Sequence, residues 1–350
     1  MSEYDYIVVG AGSAGCVLAN RLSENGRHKV LLLEAGGSDR RFWIRMPIGY
    51  GRTFGDPRVN WMYRTEPDAG LGGRISYWPR GKVLGGSSSI NAMVYVRGRP
   101  ADFDDWAAAG NPGWGWADVL PYFEKFERNG FVADVSDQVH PVCAQYLRAC
   151  RELGLAVPSN LSNPGTDCAG FYRITTRNGL RASSARVHLH PARHRSNLRI
   201  VTHALATRIL LQGKRASGVE YRHRGQTLQA RAGREVIVSA GAINAPQLLQ
   251  LSGIGPGAVL GEHGIEVLHE LAGVGGNLQD HLGIDYIYRA RLPTLNNQLH
   301  PWHGKLRVGL RYLLNRSGPL SLSVNQAGGF VRTRDGTAVK YAHPGCLPFQ

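Results

Sequence analysis

The sequence has no pair of cysteines at CxxC spacing, and its five cysteines (Cys16, Cys143, Cys150, Cys168, Cys346) are odd in number. That argues against a zinc site and a disulfide framework, and for thiols in a reducing compartment. No uninterrupted apolar stretch approaches the ~20 residues a membrane-spanning helix needs. The N-terminus runs from Met1-Ser2-Glu3 straight into a strand pattern, without the basic segment and apolar run of a secretory signal. A cytoplasmic protein is expected, with peripheral membrane association left open. Long blocks of like charge are also missing. Net charge is +15, but its arginines are spread along the chain, which reads as a solvated surface and gives no support for nucleic-acid binding. Internal repeats and low-complexity tracts are absent as well.

What is present begins with size. A chain of 350 residues, 43% hydrophobic, fills one large or two ordinary globular domains. Glycine contributes 45 residues, which suits tight turns and close approach of backbone to a ligand. The apolar run Tyr6-Ile7-Val8-Val9 ends in Gly10-Ala11-Gly12-Ser13-Ala14-Gly15. Cys16 to Leu22 then carries apolar residues at helical spacing, and a second run, Val30-Leu31-Leu32-Leu33, ends at Glu34. This order of strand, glycine-rich turn, helix, strand and acid is the dinucleotide-binding fingerprint in its full context. Gly10 allows the turn, Gly12 lets backbone touch a pyrophosphate, and Gly15 lets helix and strand pack closely. The helix N-terminus presents N–H groups and a positive dipole end to phosphate. Glu34 can accept from ribose hydroxyls and would repel a 2′-phosphate, so NADP is disfavoured. The fingerprint alone does not separate FAD from NAD.

A second segment runs from Trp78 to Gly98 and contains Val83-Leu84-Gly85-Gly86-Ser87-Ser88-Ser89-Ile90-Asn91-Ala92-Met93-Val94. Gly85 and Gly86 clear space for a ring or phosphate, and Ser87, Ser88 and Asn91 add donors at the start of a helical turn. Its apolar flanks distinguish it from a flexible linker. This segment resembles the first signature of the glucose-methanol-choline (GMC) oxidoreductase family. Ser239-Ala240-Gly241-Ala242-Ile243-Asn244-Ala245-Pro246 through Gly255-Pro256 resembles the second signature, with Ala245 where members usually carry Ser or Thr. The likeness continues through Gly275 to His281 and Gln326 to Arg332, in family order. Ala35-Gly36-Gly37 after the acid is likewise similar to FAD-binding oxidoreductases. Met46-Pro47-Ile48-Gly49 and Asn91 to Tyr95 are most similar to bacterial aliphatic-alcohol and choline dehydrogenases.

The resemblance implies an α/β protein: a Rossmann-like FAD-binding domain with an interrupted, incomplete α+β substrate domain. The expected division is 1–145 and 196–300 for the FAD domain, 146–195 for a substrate-domain segment, and 301–350 for the start of a truncated substrate domain. Implied FAD contacts are Gly10, Gly12, Ser13, Ala14, Gly15, Glu34, Ala35, Val83, Gly86, Ser87, Asn91, Ala92, Met93, Val94, Ala206 and Ala240. Where some relatives attach FAD through a histidine, this chain has Ile90, which implies a non-covalent cofactor. The implied reaction is oxidation of an alcohol CH–OH by hydride transfer to flavin N5, with a histidine taking the hydroxyl proton. The substrate class is choline or an aliphatic alcohol; the electron acceptor is open.

The family's catalytic histidine follows an HPxGT-type segment near the C-terminus, and nothing here matches it. His343-Pro344-Gly345-Cys346 has the wrong spacing, and the likeness dissolves from Asp335 on, as after a frameshift. Arg128 to Ser136 lacks a turn common in relatives. No catalytic residue is assigned, and the chain is expected to be inactive, since a missing general base costs roughly 10²–10⁴ in rate. A non-catalytic FAD- or adenine-nucleotide-binding fragment and a decayed gene remnant stay open. His281 reads as structural, and His188, His190 and His194 as an ordinary strand and loop without an acidic partner for a metal site. Trp106, Trp114 and Trp116 read as core or cap packing.

Overall fold

The structure, a computed structural model, describes residues 2–159, 161, 167–281 and 283–332. The HPGC segment at 343–346 and the dissolved pattern from Asp335 lie outside the described residues. The chain divides into two compact units, each assembled from three stretches. The first takes the described residues up to Ile44, Gly51–Asn91 and Ser183–Ile284; the second takes Arg45–Tyr50, Ala92–Ala182 and the described residues from Asp285 on. Residues 92–145 thus cluster with the second unit, and not with the N-terminal stretch with which the sequence groups them.

The first unit is built on a six-stranded sheet. Its strands are β1 (Ser2–Val9), β2 (Val30–Leu33), β3 (Leu198–Val201), β4 (Ala204–Gln212), β5 (Arg215–His223) and β6 (Gln226–Val238). Their order is β3-β2-β1-β6-β5-β4. The first four in that order pair parallel and the last two pairings are antiparallel. In a strand successive side chains point to opposite faces, and a parallel sheet covered on both faces needs apolar residues at every position. The runs at 6–9 and 30–33 satisfy this. Ile7, Val9, Leu31 and Leu33 face one way, onto Ile209 of β4, Val219 of β5 and Leu248 of α2 (Gly241–Leu251). Val8, Val30 and Leu32 face the other way, onto Cys16 and Ala19 of α1 (Ser13–Leu22) and onto Ala185 and Leu189. Each such fully buried aliphatic side chain contributes about 1.5–3 kcal/mol. Residues 185–192 are helical turns, correcting the strand and loop expected there.

The second unit mixes helices with short antiparallel pairs, Cys168–Phe171 with Ala327–Phe330 and Val94–Tyr95 with Arg173–Ile174. Helix Trp116–Arg128 is held to this framework through Glu127. Its carboxylate takes a two-pronged ion pair from Arg97 at 2.6 and 2.7 Å, a third bond from Arg173 at 3.1 Å and the Tyr95 hydroxyl at 3.0 Å. For the tryptophans the sequence left core and cap packing open. Trp106 and Trp114 are 52% and 55% exposed and form, with Phe103, Trp116 and Phe123, an aromatic cluster near the surface. Among the described residues Cys16, Cys143, Cys150 and Cys168 are buried and carry no disulfide. No described helix is long and apolar enough to cross a membrane.

Candidate functional site

Three features of the first unit converge on one cavity of about 930 Å³ at the C-terminal ends of β1, β2 and β6. The first is the turn after β1. Gly15, in the first turn of α1, lies so close to the turn that a β-carbon there would fall 1.9 Å from the Gly10 carbonyl oxygen. No other residue lets helix and strand approach this far. Gly12 differs. A β-carbon on it would have only the Ser239 carbonyl oxygen for a neighbour, 3.9 Å away, and Gly12 lines the cavity. A side chain at Gly12 would take up ligand space. Gly12 also caps α1, whose opening N–H groups have no carbonyl partner within the helix.

The second feature is Glu34, 6% exposed at the end of β2. Its Oε2 accepts the Ala11 N–H at 2.9 Å and its Oε1 the Gly36 N–H at 2.8 Å. The carboxylate therefore binds the turn to β2 while its other lone pairs remain for a ligand. Burial pushes its pKa up to about 7, opposed by the two backbone N–H groups and the Lys82 charge.

The third is the segment from Val59 to Ser89. Trp61, Tyr63, Arg80, Gly81, Gly86 and Ser87 all line the cavity. The Trp61 and Tyr63 rings are stacked, 5° from parallel with centroids 5.8 Å apart. Lys82 Nζ sits 4.6 Å from the Trp61 ring centre, and the Tyr63 hydroxyl donates to Asn244 Oδ1 on α2. Gly86–Ser89 forms a 3₁₀ turn, matching the helical turn expected there.

Of the sixteen expected contact residues, Gly10, Gly12, Ser13, Ala14, Glu34, Ala35, Gly86, Ser87, Ala206 and Ala240 line the cavity. Gly15 packs beneath the turn, and Val83 is buried against Ile44, Val59 and Ile90. Asn91 closes the 3₁₀ turn through its N–H to the Ser87 carbonyl at 2.8 Å and is not among the lining residues. Ala92, Met93 and Val94 belong to the second unit, where the Met93 carbonyl accepts the Thr175 N–H at 2.9 Å. The aromatic pair Trp61 and Tyr63 and the basic Arg80 escaped the sequence reading. Their one sequence signal was an alternating aromatic pattern ahead of the first signature. Asp39 was also missed: its carboxylate lies 3.0 Å from His190 Nε2, an acidic partner the local sequence around His190 does not show.

A family model described as GMC oxidoreductase matches residues 4–283. An oxygen-dependent choline dehydrogenase of Vibrio vulnificus (strain YJ016) is 43% identical over 349 residues, covering 95% of this chain and 62% of that protein. An alcohol dehydrogenase [acceptor] of Pseudomonas putida is 42% identical over 347 residues, covering 94% and 63%. Among solved structures, pyridoxine 4-oxidase from Mesorbium loti superposes with a TM-score of 0.84 at 32% identity, covering 98% of this chain and 66% of that one. The chain thus spans about six tenths of the length of these curated relatives, which match it at 62% and 63% of their own length.

Proposed function

Because the chain belongs to the GMC oxidoreductase family, we propose that its cavity holds FAD and that the chain is the cofactor-binding part of an enzyme oxidising an alcohol. The observation that carries this reading is the pairing of Gly12 with Glu34. A β-carbon at Gly12 would intrude on the cavity and on no protein atom nearer than 3.9 Å, while Glu34 presents a buried acceptor at the end of β2. This fits the pyrophosphate and ribose of an adenine dinucleotide. In this reading the turn Gly10–Ala14 and the start of α1 hold the phosphates. Glu34 accepts from the ribose hydroxyls, and Ala35 and Ala206 flank the adenine. Gly86 and Ser87 line the path onward to the flavin. Val83 and Asn91, which lie in the same unit, keep their proposed place in this set as cofactor contacts. With Ile90 at the position of a covalent tether, the cofactor is held without a covalent bond.

The flavin, when bound, takes up the hydride that alcohol oxidation releases. The chain's own residues bind and orient it; no residue here is assigned as the proton acceptor. The named activities of the relatives point to choline or an aliphatic alcohol as the substrate class.

The test is reconstitution. Purified chain mixed with FAD and passed through a desalting column should retain the visible flavin bands, and ADP should compete. Loss of all flavin on the column, with no effect of ADP, overturns the reading. Anaerobic addition of choline or a medium-chain alcohol then separates an enzyme from a binding module, since only the enzyme bleaches the flavin.

A further inference from the structure

Asn60 is 1% exposed, and every polar atom of its side chain is engaged. Its Oδ1 accepts the backbone N–H groups of Met62 and Arg80, each at 3.0 Å. Its Nδ2 donates to the Phe54 carbonyl and to the Tyr77 hydroxyl, each at 2.8 Å. One side chain thereby joins the loop before it, the turn after it and the returning strand. The bond to Met62 matters most. Met62 has φ +61°, in the left-handed region where a β-carbon is crowded, so the turn needs an outside hold. Immediately on either side stand Trp61 and Tyr63, the stacked pair that lines the cavity. Asn60 is not itself among the lining residues.

We propose that Asn60 is a positioning residue for the ligand cavity. By holding the Met62 turn it presents Trp61 and Tyr63 as one aromatic wall, and so sets how tightly the cavity grips a flat ring. The inference rests on the reading that this cavity takes FAD, but the positioning itself is a property of the ligand-free chain. Removing Oδ1 would leave two N–H groups without their acceptor, and the turn would relax to a conformation that no longer stacks the rings.

A double-mutant cycle tests it. FAD is titrated into the wild-type chain, Asn60→Ala, Trp61→Ala and the double variant, with far-UV circular dichroism confirming that each folds. Both single variants should weaken binding about tenfold, the scale of one well-formed aromatic contact, and the double variant should lose no more than the worse single one. Fully additive losses overturn the proposal. A second readout needs no ligand: the near-UV dichroism of the stacked pair, taken as wild type minus Trp61→Phe. This signal should vanish in Asn60→Ala and survive in Asn60→Asp, which keeps the accepting oxygen. A signal unchanged in Asn60→Ala overturns the proposal whether or not FAD binds. Should Asn60→Ala not fold, Asn60→Asp decides: loss of the signal in a folded Asn60→Asp overturns it. A wild-type chain that refuses FAD while the dichroism behaves as expected sinks the FAD reading and leaves the positioning role supported.

Discussion

Gly86 meets Gly12 backbone to backbone: a β-carbon on Gly86 would fall 2.7 Å from the Gly12 Cα. The two glycine-rich segments, far apart in the chain, therefore close one side of the cavity together. Gly86 also has φ +54°. Gly86→Ala is expected to cost about 1–3 kcal/mol through the forced shift, and to weaken FAD binding at least tenfold. Gly51→Ala, whose β-carbon meets nothing within 4 Å, should change neither. Thermal melts and flavin titration measure both.

Glu34 links binding to pH. Its folded pKa of about 7 lies above the ordinary 4.5 because the carboxyl is buried. A raised value means the folded chain holds the proton more tightly than the unfolded chain. The resulting stability is fully present below pH 4.5 and is lost as pH rises through about 7. Binding should run the other way, because the ionised carboxylate accepts more hydrogen bonds, so FAD affinity should climb as pH rises through about 7. Glu34→Gln places an NH₂ group against one of two backbone donors. It should lower affinity roughly 10- to 100-fold and flatten both pH profiles. An affinity that keeps its pH slope in Glu34→Gln would show that another group titrates.

In the second unit Glu127 makes the opposite case. Arg97, Arg173 and Tyr95 hold its carboxyl down to about 2, against 4.5 ordinarily. Stability from this cluster is present above pH 4.5 and is lost as pH falls toward about 2. Glu127→Gln should cost roughly 1.5–3 kcal/mol at neutral pH. Melting curves of wild type and variant should converge as the solution is acidified through that window, and parallel curves would contradict it.

Ser252 lies in the second signature yet does structural work. Its hydroxyl donates to the Leu248 carbonyl at 2.6 Å and accepts the Ile209 N–H at 2.8 Å, tying α2 to β4. Ser252→Ala leaves a buried N–H without its acceptor and is expected to cost roughly 1–3 kcal/mol. FAD affinity, measured well below the melting temperature, should stay within about twofold of wild type, since the loss is one of fold stability.

The βαβ core was legible because local rules decide it: apolar runs at 6–9 and 30–33 covered on both faces, a glycine turn, and an acid at a strand end. Glu34 and the turn residues follow from the same spacing. Trp61 and Tyr63 were not legible, because their place depends on the pairing of 59–64 with 77–82 and on a left-handed Met62 that no local pattern announces. The Asp39–His190 contact joins distant positions, and a single sequence carries no trace of such pairing. The sequence left the tryptophans at 106 and 114 between core and cap packing, because residue type alone does not decide burial; Trp106 on helix Pro100–Ala108 and Trp114 in the loop after it are each about half exposed.

The central pairing of β1 with β6 runs from Ser2 beside Ala230 to Val9 beside Val238. During synthesis β1 is the first of the six strands to leave the ribosome, and β6, one of its two parallel neighbours, is the last. At about 5–20 residues per second, roughly 10–50 s pass before that neighbour exists. The same holds for β2, whose outer neighbour β3 begins only at Leu198. Until then β1 and β2 have only each other to pair with, and the outer edge of each stays open as a template for aggregation. The long delay makes this a chain whose yield should depend on elongation rate and on chaperones that shield its first forty residues.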